Sequence, residues 1–334
     1  MPLFLELVRQ AGVDDPALAR DALAGLSAYE TAERPALPAP KPEYARVGGS
    51  CLRDHGGEGP PAVLIPSLIN PPHILDLDPG VSLASAVANM GRRAMLLDWG
   101  EAAQRSELGV AGHIESILVP LLRALGEPTA LIGYCLGGTM AIAAAGQLAC
   151  ERVATLAAPW RFSRYPDDSR AALAATWSQS RASAQLLGAL PMEVLQASFW
   201  SLDPMRTVAK FAQFGQLDPA SAEACRFVAL EDWANEGEPL PYPAARELIE
   251  DMFGADVPGT GQWQVGGSLA TDQLALPMLH LTAGRDRIAP AATAPHGPAE
   301  NLAAGHVGMV VGSARHDLHR ALARFLAPLA APSL

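Results

Sequence analysis

The chain has 334 residues, of which 49% are hydrophobic and 18% charged, with a formal net charge of −11. That composition belongs to a packed globular protein and excludes a disordered chain. The acidic balance excludes a general binder of nucleic acid or of anionic membrane.

The first residues, MPLFLELVRQAGV, lack the order of a secretory leader. No basic residue precedes the apolar stretch, and Glu6 interrupts it. No apolar run reaches the ~18 residues needed to span a bilayer. A cytoplasmic location is therefore expected. Residues 1–35 predict helix: FLELVRQ, then DDPALARDALAGL with Pro16 near the first turn. The Pro-rich ALPAPKPEYAR predicts an extended linker.

Strands and helices then alternate. PAVLIPSLIN (61–70) and RAMLLDWG (93–100) predict buried strands followed by loops. HIESILVPLLRALG (113–126) has helical spacing. TALIGYC (129–135) predicts a strand, TMAIAAAGQLA (139–149) an apolar helix, and RVATLAAPW (152–160) another strand. Apolar runs alternating with helices indicate a mostly parallel sheet covered on both faces. After Trp160 the pattern becomes helical and loop-rich with no clear strand, until LPMLHLTAG (276–284). HDLHRALARFLAPLA closes the chain as an amphipathic helix. The expected organisation is an N-terminal helical segment and linker (1–45), an α/β core (46–160 and 273–334) and a helical cap or lid insertion (161–272). The cap aromatics Trp177, Phe199, Trp200, Phe211 and Trp233 are expected to be cap core first and acyl-pocket lining second.

The four cysteines, Cys51, Cys135, Cys150 and Cys225, are widely spaced with no C-x-x-C pair. A chain neither small nor Cys-rich is not expected to carry a disulfide framework, zinc spacing is absent, and reduced thiols with no metal are expected. Cys51, Cys150 and Cys225 are expected to be small buried apolar residues. The basic pairs Arg92-Arg93 and Arg285/Arg287 are expected to be surface or salt-bridged groups.

Cys135 differs from the others. Gly133-Tyr134-Cys135-Leu136-Gly137 has the form of a nucleophile elbow with Cys in place of Ser. Such a turn needs small residues two before and two after the nucleophile. The N-terminus of the following helix favours a thiolate and a developing oxyanion. Chain order on this scaffold is nucleophile, acid, histidine. His306, between Gly305 and Gly308 in a loop after an expected strand, is the candidate base. His280 lies inside a strand, His296 in a Pro-rich loop, and His316 and His319 on the last helix, expected to be exposed. Asp286, directly after the penultimate strand, is the candidate acid. Asp98 is its rival, but DWG has the form of a structural turn. Oxyanion donors are expected at the backbone of Leu136 and, from the loop after PAVLIP, at Leu68 or Ile69.

These stretches carry a family resemblance. PSLINPPHILDLDPG (66–80), LLDWG (96–100), GYCLGG (133–138), RDRIAP (285–290) and GHVGMVVG (305–312) are together similar to the catalytic domain of polyhydroxyalkanoate synthases, α/β-hydrolase relatives that use Cys. The resemblance implies an α/β-hydrolase fold, with a mostly parallel central sheet, flanking helices and an inserted helical cap. It also implies that Cys135 takes a hydroxyacyl group from CoA as a thioester. His306 and Asp286 would then assist its transfer to the hydroxyl end of a polyester chain. Hydroxyacyl-CoA would be a substrate, and no cofactor is implied. A second synthase subunit or a homodimer is implied as partner, and the polyester granule surface as a possible location. The chain departs from the family at Arg287, where a His usually follows the Asp, and at His73, where an aromatic precedes ILDL. The competing expectation is a cysteine-nucleophile ester or thioester hydrolase on the same scaffold, with water as acceptor. A non-enzymatic binding or granule-associated protein is the third, and an ordered Cys-Asp-His set argues against it.

Overall fold

A computed structural model describes residues 2–34 and 40–328. It divides into two compact units, a sheet unit of residues 40–191 and 238–328 and a helical unit of residues 2–34 and 192–237.

The sheet unit is built on eight strands: β1 Glu43–Val47, β2 Ser50–Asp54, β3 Pro61–Ile65, β4 Arg93–Asp98, β5 Thr129–Tyr134, β6 Cys150–Leu156, β7 Met278–Ala283 and β8 Ala299–Leu302. Their order is β1-β2-β4-β3-β5-β6-β7-β8. β2 pairs antiparallel with both β1 and β4, and every other pairing is parallel. The apolar runs PAVLI and TALIGY are buried along their whole length, as strands covered on both faces must be. β1 is the half-exposed edge, and it occupies part of the expected linker. Residues 36–39 of that linker, and residue 35 before it, lie outside the described residues.

Chain order reverses around β3, which has β4 on one side and β5 on the other. Parallel sheets place their sites at such switch points, beyond the strand C-termini. The loop Pro66–Ile69 leaves β3 there, and Cys135 leaves β5 beside it. The helix after Cys135 runs Leu136–Ala145, three residues earlier than expected, because Cys135 itself is its N-cap residue. All ten of its residues are buried, which suits its Ala-rich, all-round apolar sequence. The preceding helix spans 110–123 and takes a π turn over Ile114–Leu118. Pro120, which has no N–H to continue the α ladder, follows that turn.

Beside the expected division 1–45, 46–160 with 273–334, and 161–272, the compact units divide the chain differently. Residues 161–191 and 238–272 fold with the sheet unit. The helix Asp167–Leu187 lies there, with Trp177 stacked on Tyr242 at 6.0 Å and its Nε1 donating to Glu250 Oε1 at 2.8 Å. Short antiparallel pairs also occur where no strand was expected: Ala189–Leu190 with Leu240–Pro241, and Gln264–Val265 with Ser268–Leu269. Two residues are too few to show a period-2 pattern.

The helical unit joins Pro2–Asp14 and Pro16–Thr31 to Met192–Ser201, Pro204–Phe214 and Ala222–Asn235. Asp15 caps the second helix, accepting from the N–H groups of Ala17 and Leu18. Phe4, Leu26, Tyr29, Val208, Phe211 and Phe214 share one core, with Phe4 and Phe211 ring centroids 4.5 Å apart. Gly25 allows two helices to touch: a Cβ there would lie 1.8 Å from the Phe211 carbonyl oxygen. Phe211 and Trp200 thus pack against the N-terminal helices, Trp233 is buried and Phe199 half-buried.

Candidate active site

Cys135 adopts φ 55° and ψ −131°, a left-handed conformation that costs a residue with a side chain about 1–2 kcal/mol. Its surroundings impose it. The Cys135 N–H donates to Leu156 O at 2.9 Å, and the Gly138 N–H donates back to Cys135 O at 2.9 Å. The glycines are required by contact. A Cβ at Gly133 would lie 2.4 Å from Gly138 Cα, and one at Gly137 would lie 2.1 Å from Ile65 O. The same closeness sets the loop after β3 directly against the elbow.

His306 lies between β8 and the turn of helix Gly308–Val311. Its Nδ1 donates to Asp286 Oδ2 at 2.6 Å, and the Cys135 sulfur is near enough for its charge to act on the imidazole. The structure therefore brings Cys135, Asp286 and His306 together in the order the elbow requires. Asp286 also does what a turn-capping Asp does. Its Oδ1 accepts from Ile288 N at 2.8 Å and Ala289 N at 2.9 Å. One oxygen holds the turn, and the other is left for the imidazole. Burial works strongly against protonation of His306. The charges of Cys135 and Asp286, with their hydrogen bonds, outweigh it and push the imidazole up to about 10.

Two tyrosines escaped sequence reasoning. The Tyr134 hydroxyl donates to His306 O at 3.4 Å, with ring centroids 5.1 Å apart. The Tyr165 hydroxyl donates to Ile288 O at 2.9 Å and so braces the Asp286 turn. Burial, with the nearby Cys135 and Asp286 charges, raises both phenols well above their usual value, so both stay neutral. Tyr134 occupies the unconstrained position of G-x-C-x-G, and Tyr165 falls in the segment expected to be cap. Neither had a local signal.

Among the expected oxyanion donors, Leu136 N–H is the first of the elbow helix. Ile69 N–H is engaged with Ser67 Oγ at 3.3 Å, which favours Leu68 of the two loop residues. Asp98 is a turn residue: Oδ1 accepts from Gly100 N at 3.0 Å and Oδ2 from Arg53 at 2.9 Å. His280 is buried between Thr155 Oγ1 at 2.8 Å and His296 O at 3.1 Å. His296 pairs with Asp272 at 2.9 Å. His316 is exposed, but His319 is half-buried, because it borders the buried face of its helix formed by Leu318 and Leu322. Cys51 is buried, Cys150 half-buried and Cys225 exposed, the last against expectation. Arg92 pairs with Glu151, Arg93 with Asp54, and Arg285 donates to Ala303 O. Among the described residues no three His, Cys, Asp or Glu side chains are placed to hold a metal, and no helix is long and apolar enough to cross a membrane.

Sheet order, elbow and Asp–His pair define the α/β-hydrolase fold, here with a cysteine on the elbow. Epoxide hydrolase A from Mycobacterium thermoresistibile shares the fold, with TM-score 0.55 and 18% identity over 86% of this chain and 99% of that one. Its sequence is similar to poly(3-hydroxyalkanoate) polymerase subunits. It is 27% identical to the poly(3-hydroxyalkanoate) polymerase subunit PhaC of Haloferax mediterranei, over 80% of this chain and 58% of that protein. It is 23% identical to the protein of the same name from Synechocystis sp., over 80% of this chain and 77% of that one. The chain thus spans little more than half the length of the Haloferax relative. No family model matches it.

Proposed function

We infer that the protein is an acyltransferase of the polyhydroxyalkanoate synthase type, with hydroxyacyl-CoA as donor and the hydroxyl end of a polyester chain as acceptor. One observation carries this most: the thiol on the elbow faces a buried His–Asp pair, in a chain similar to polymerase subunits over most of its length.

In the proposed reaction the resting pair is Cys135 thiolate and His306 imidazolium. The thiolate attacks the thioester carbonyl of hydroxyacyl-CoA. Charge gathers on the carbonyl oxygen, in reach of the Leu136 and Leu68 N–H groups. The C–S bond to CoA breaks, and the CoA thiolate takes the proton from His306. Acylation removes the Cys135 charge, one of the influences that raise His306, so the neutral imidazole is then favoured. It accepts a proton from the incoming hydroxyl, whose oxygen attacks the acyl-Cys135 carbonyl. Collapse expels the Cys135 thiolate and restores the ion pair. Asp286 keeps Nδ1 protonated, so that Nε2 is the working nitrogen. A thiol suits this exchange, because passing an acyl group between two thioesters is close to thermoneutral. The reading calls for no resident cofactor. It places the protein in the cytoplasm or at a polyester granule surface, acting with a second synthase subunit or as a homodimer.

The test is incubation with (R)-3-hydroxybutyryl-CoA, following free CoA and polymer, with Cys135→Ala as control. Polymer from the wild type alone supports the reading. CoA release with free hydroxy acid only, unchanged by added partner subunit, would establish a thioesterase instead.

A further inference from the structure

Trp99 donates its indole Nε1–H to Pro66 O at 3.1 Å, inside the core. Its own place is fixed. Ser50 Oγ donates to Trp99 O at 2.7 Å, and the indole lies edge-on to His113 with centroids 5.8 Å apart. His113 is held in turn by Arg105 at Nε2, 3.1 Å away, and by Gly109 O at Nδ1, 2.7 Å away. Pro66 opens the loop after β3 that lies against the elbow. One residue later a second tie appears: Ser67 Oγ accepts from the Ile69 N–H at 3.3 Å.

These two bonds bracket one peptide. The Pro66–Ser67 peptide is held by its carbonyl, and the Leu68–Ile69 peptide by its N–H. Between them lies the Ser67–Leu68 peptide, whose N–H has no hydrogen-bond partner among the described residues. A buried N–H without a partner is unusual, and Leu68 is buried. Here it sits in the loop packed on Gly137, two residues after Cys135. We propose that Trp99 and Ser67 are positioning residues that hold the Leu68 N–H in place as the second oxyanion donor. This rests on the acyl-transfer reading of Cys135. A donor acts in full only if it is already aimed where the charge develops. A loop leaving a strand has no ladder bonds to aim it, so side chains must do so.

The consequence separates two reactions of one thiol. Acylation of Cys135 by a thioester or an activated ester passes through an oxyanion. Alkylation by iodoacetamide displaces iodide and forms none. Trp99→Phe keeps the aromatic ring and removes only the N–H donor. Ser67→Ala removes the acceptor of the Ile69 N–H with little change in volume, and serves if Trp99→Phe does not fold.

Single-turnover acylation by (R)-3-hydroxybutyryl-CoA and by p-nitrophenyl butyrate would be compared with the iodoacetamide alkylation rate of Cys135, in a Cys225→Ser background. The expected result is a fall in acylation of about tenfold or more in Trp99→Phe, and less in Ser67→Ala, with alkylation within twofold of wild type. Deleting an oxyanion donor outright costs about 10²–10³-fold, and loosening one costs less. Acylation within twofold of wild type in both variants would overturn the proposal. So would a parallel fall in both reactions, which marks a merely structural role. Wild-type protein acylated by neither donor would instead sink the reading of Cys135 as an acyl acceptor, and this inference with it.

Discussion

Asp286 divides its two carboxylate oxygens between two tasks: Oδ2 takes the His306 Nδ1–H at 2.6 Å, and Oδ1 takes the N–H groups of Ile288 and Ala289. Turn and imidazole are thus oriented by one buried group. Asp286→Asn keeps a side chain of the same shape, and its amide oxygen can still accept from the turn. It then presents an NH₂ to His306 Nδ1, which favours the tautomer with the proton on the wrong nitrogen. Acyl transfer should fall by about 10³–10⁴-fold while the fold is retained. CoA release beside a circular dichroism spectrum checks both, and near-wild-type turnover would remove Asp286 from the site.

The His306 shift makes a statement about stability. Its imidazole is raised from 6.5 to about 10 in the folded protein. Between those values the folded imidazole holds a proton that the unfolded one has lost. In the proposed resting pair, however, that proton comes from Cys135, so both states bind equal numbers until the unfolded cysteine ionises at about pH 8.5. Above that pH the unfolded state binds fewer protons, so stability must fall as pH rises. The pair's contribution is steady between about pH 6.5 and 8.5 and is lost as pH rises to about 10. Urea unfolding between about pH 6.5 and 10 should show a plateau and then this decline in the wild type. In His306→Gln the slope should be shallower, by up to about 1.4 kcal/mol per pH unit for one proton. Equal slopes in the two proteins would show that His306 is not held protonated.

Gly138 faces β6 from the elbow helix. A Cβ there would lie 2.4 Å from Ala158 Cβ and 3.3 Å from Thr155 Cβ. In an exposed helix Gly→Ala usually stabilises by up to about 1 kcal/mol. Gly138→Ala should instead destabilise by about 1–3 kcal/mol, because the close-packed neighbours cannot yield without moving β6. A shift of the urea midpoint to lower concentration is the expected outcome.

In the helical unit, Gly25→Ala should likewise reverse the usual sign, since its Cβ would meet the Phe211 carbonyl at 1.8 Å. The contact is with backbone, so no rotamer change relieves it, and two helices must separate. The expected loss is about 2 kcal/mol or more of that unit's stability. Hydrogen exchange of the Pro16–Thr31 amides would register it as faster exchange there.

Much of this protein is local enough to be determined by sequence alone. Apolar runs of five to seven residues set the five strands β3 to β7, because a strand buried on both faces has no other composition open to it. G-x-C-x-G located the elbow, since a left-handed nucleophile between two touching backbones admits only small neighbours. Cys135, Asp286 and His306 were legible as candidates because chain order on this scaffold assigns each to a loop after a particular strand. Tertiary structure alone decided the rest. Helical periodicity shows that the faces of Pro2–Asp14 and Pro16–Thr31 are buried, but not what covers them. Their partners, Pro204–Phe214 and Ala222–Asn235, lie far along the chain, so the unit they form is not contiguous in sequence. Tyr165 bracing the Asp286 turn and Trp99 holding Pro66 are single hydrogen bonds across 123 and 33 residues. A single side-chain contact leaves no periodic trace in a sequence. It exists only once the sheet has set the strand ends side by side.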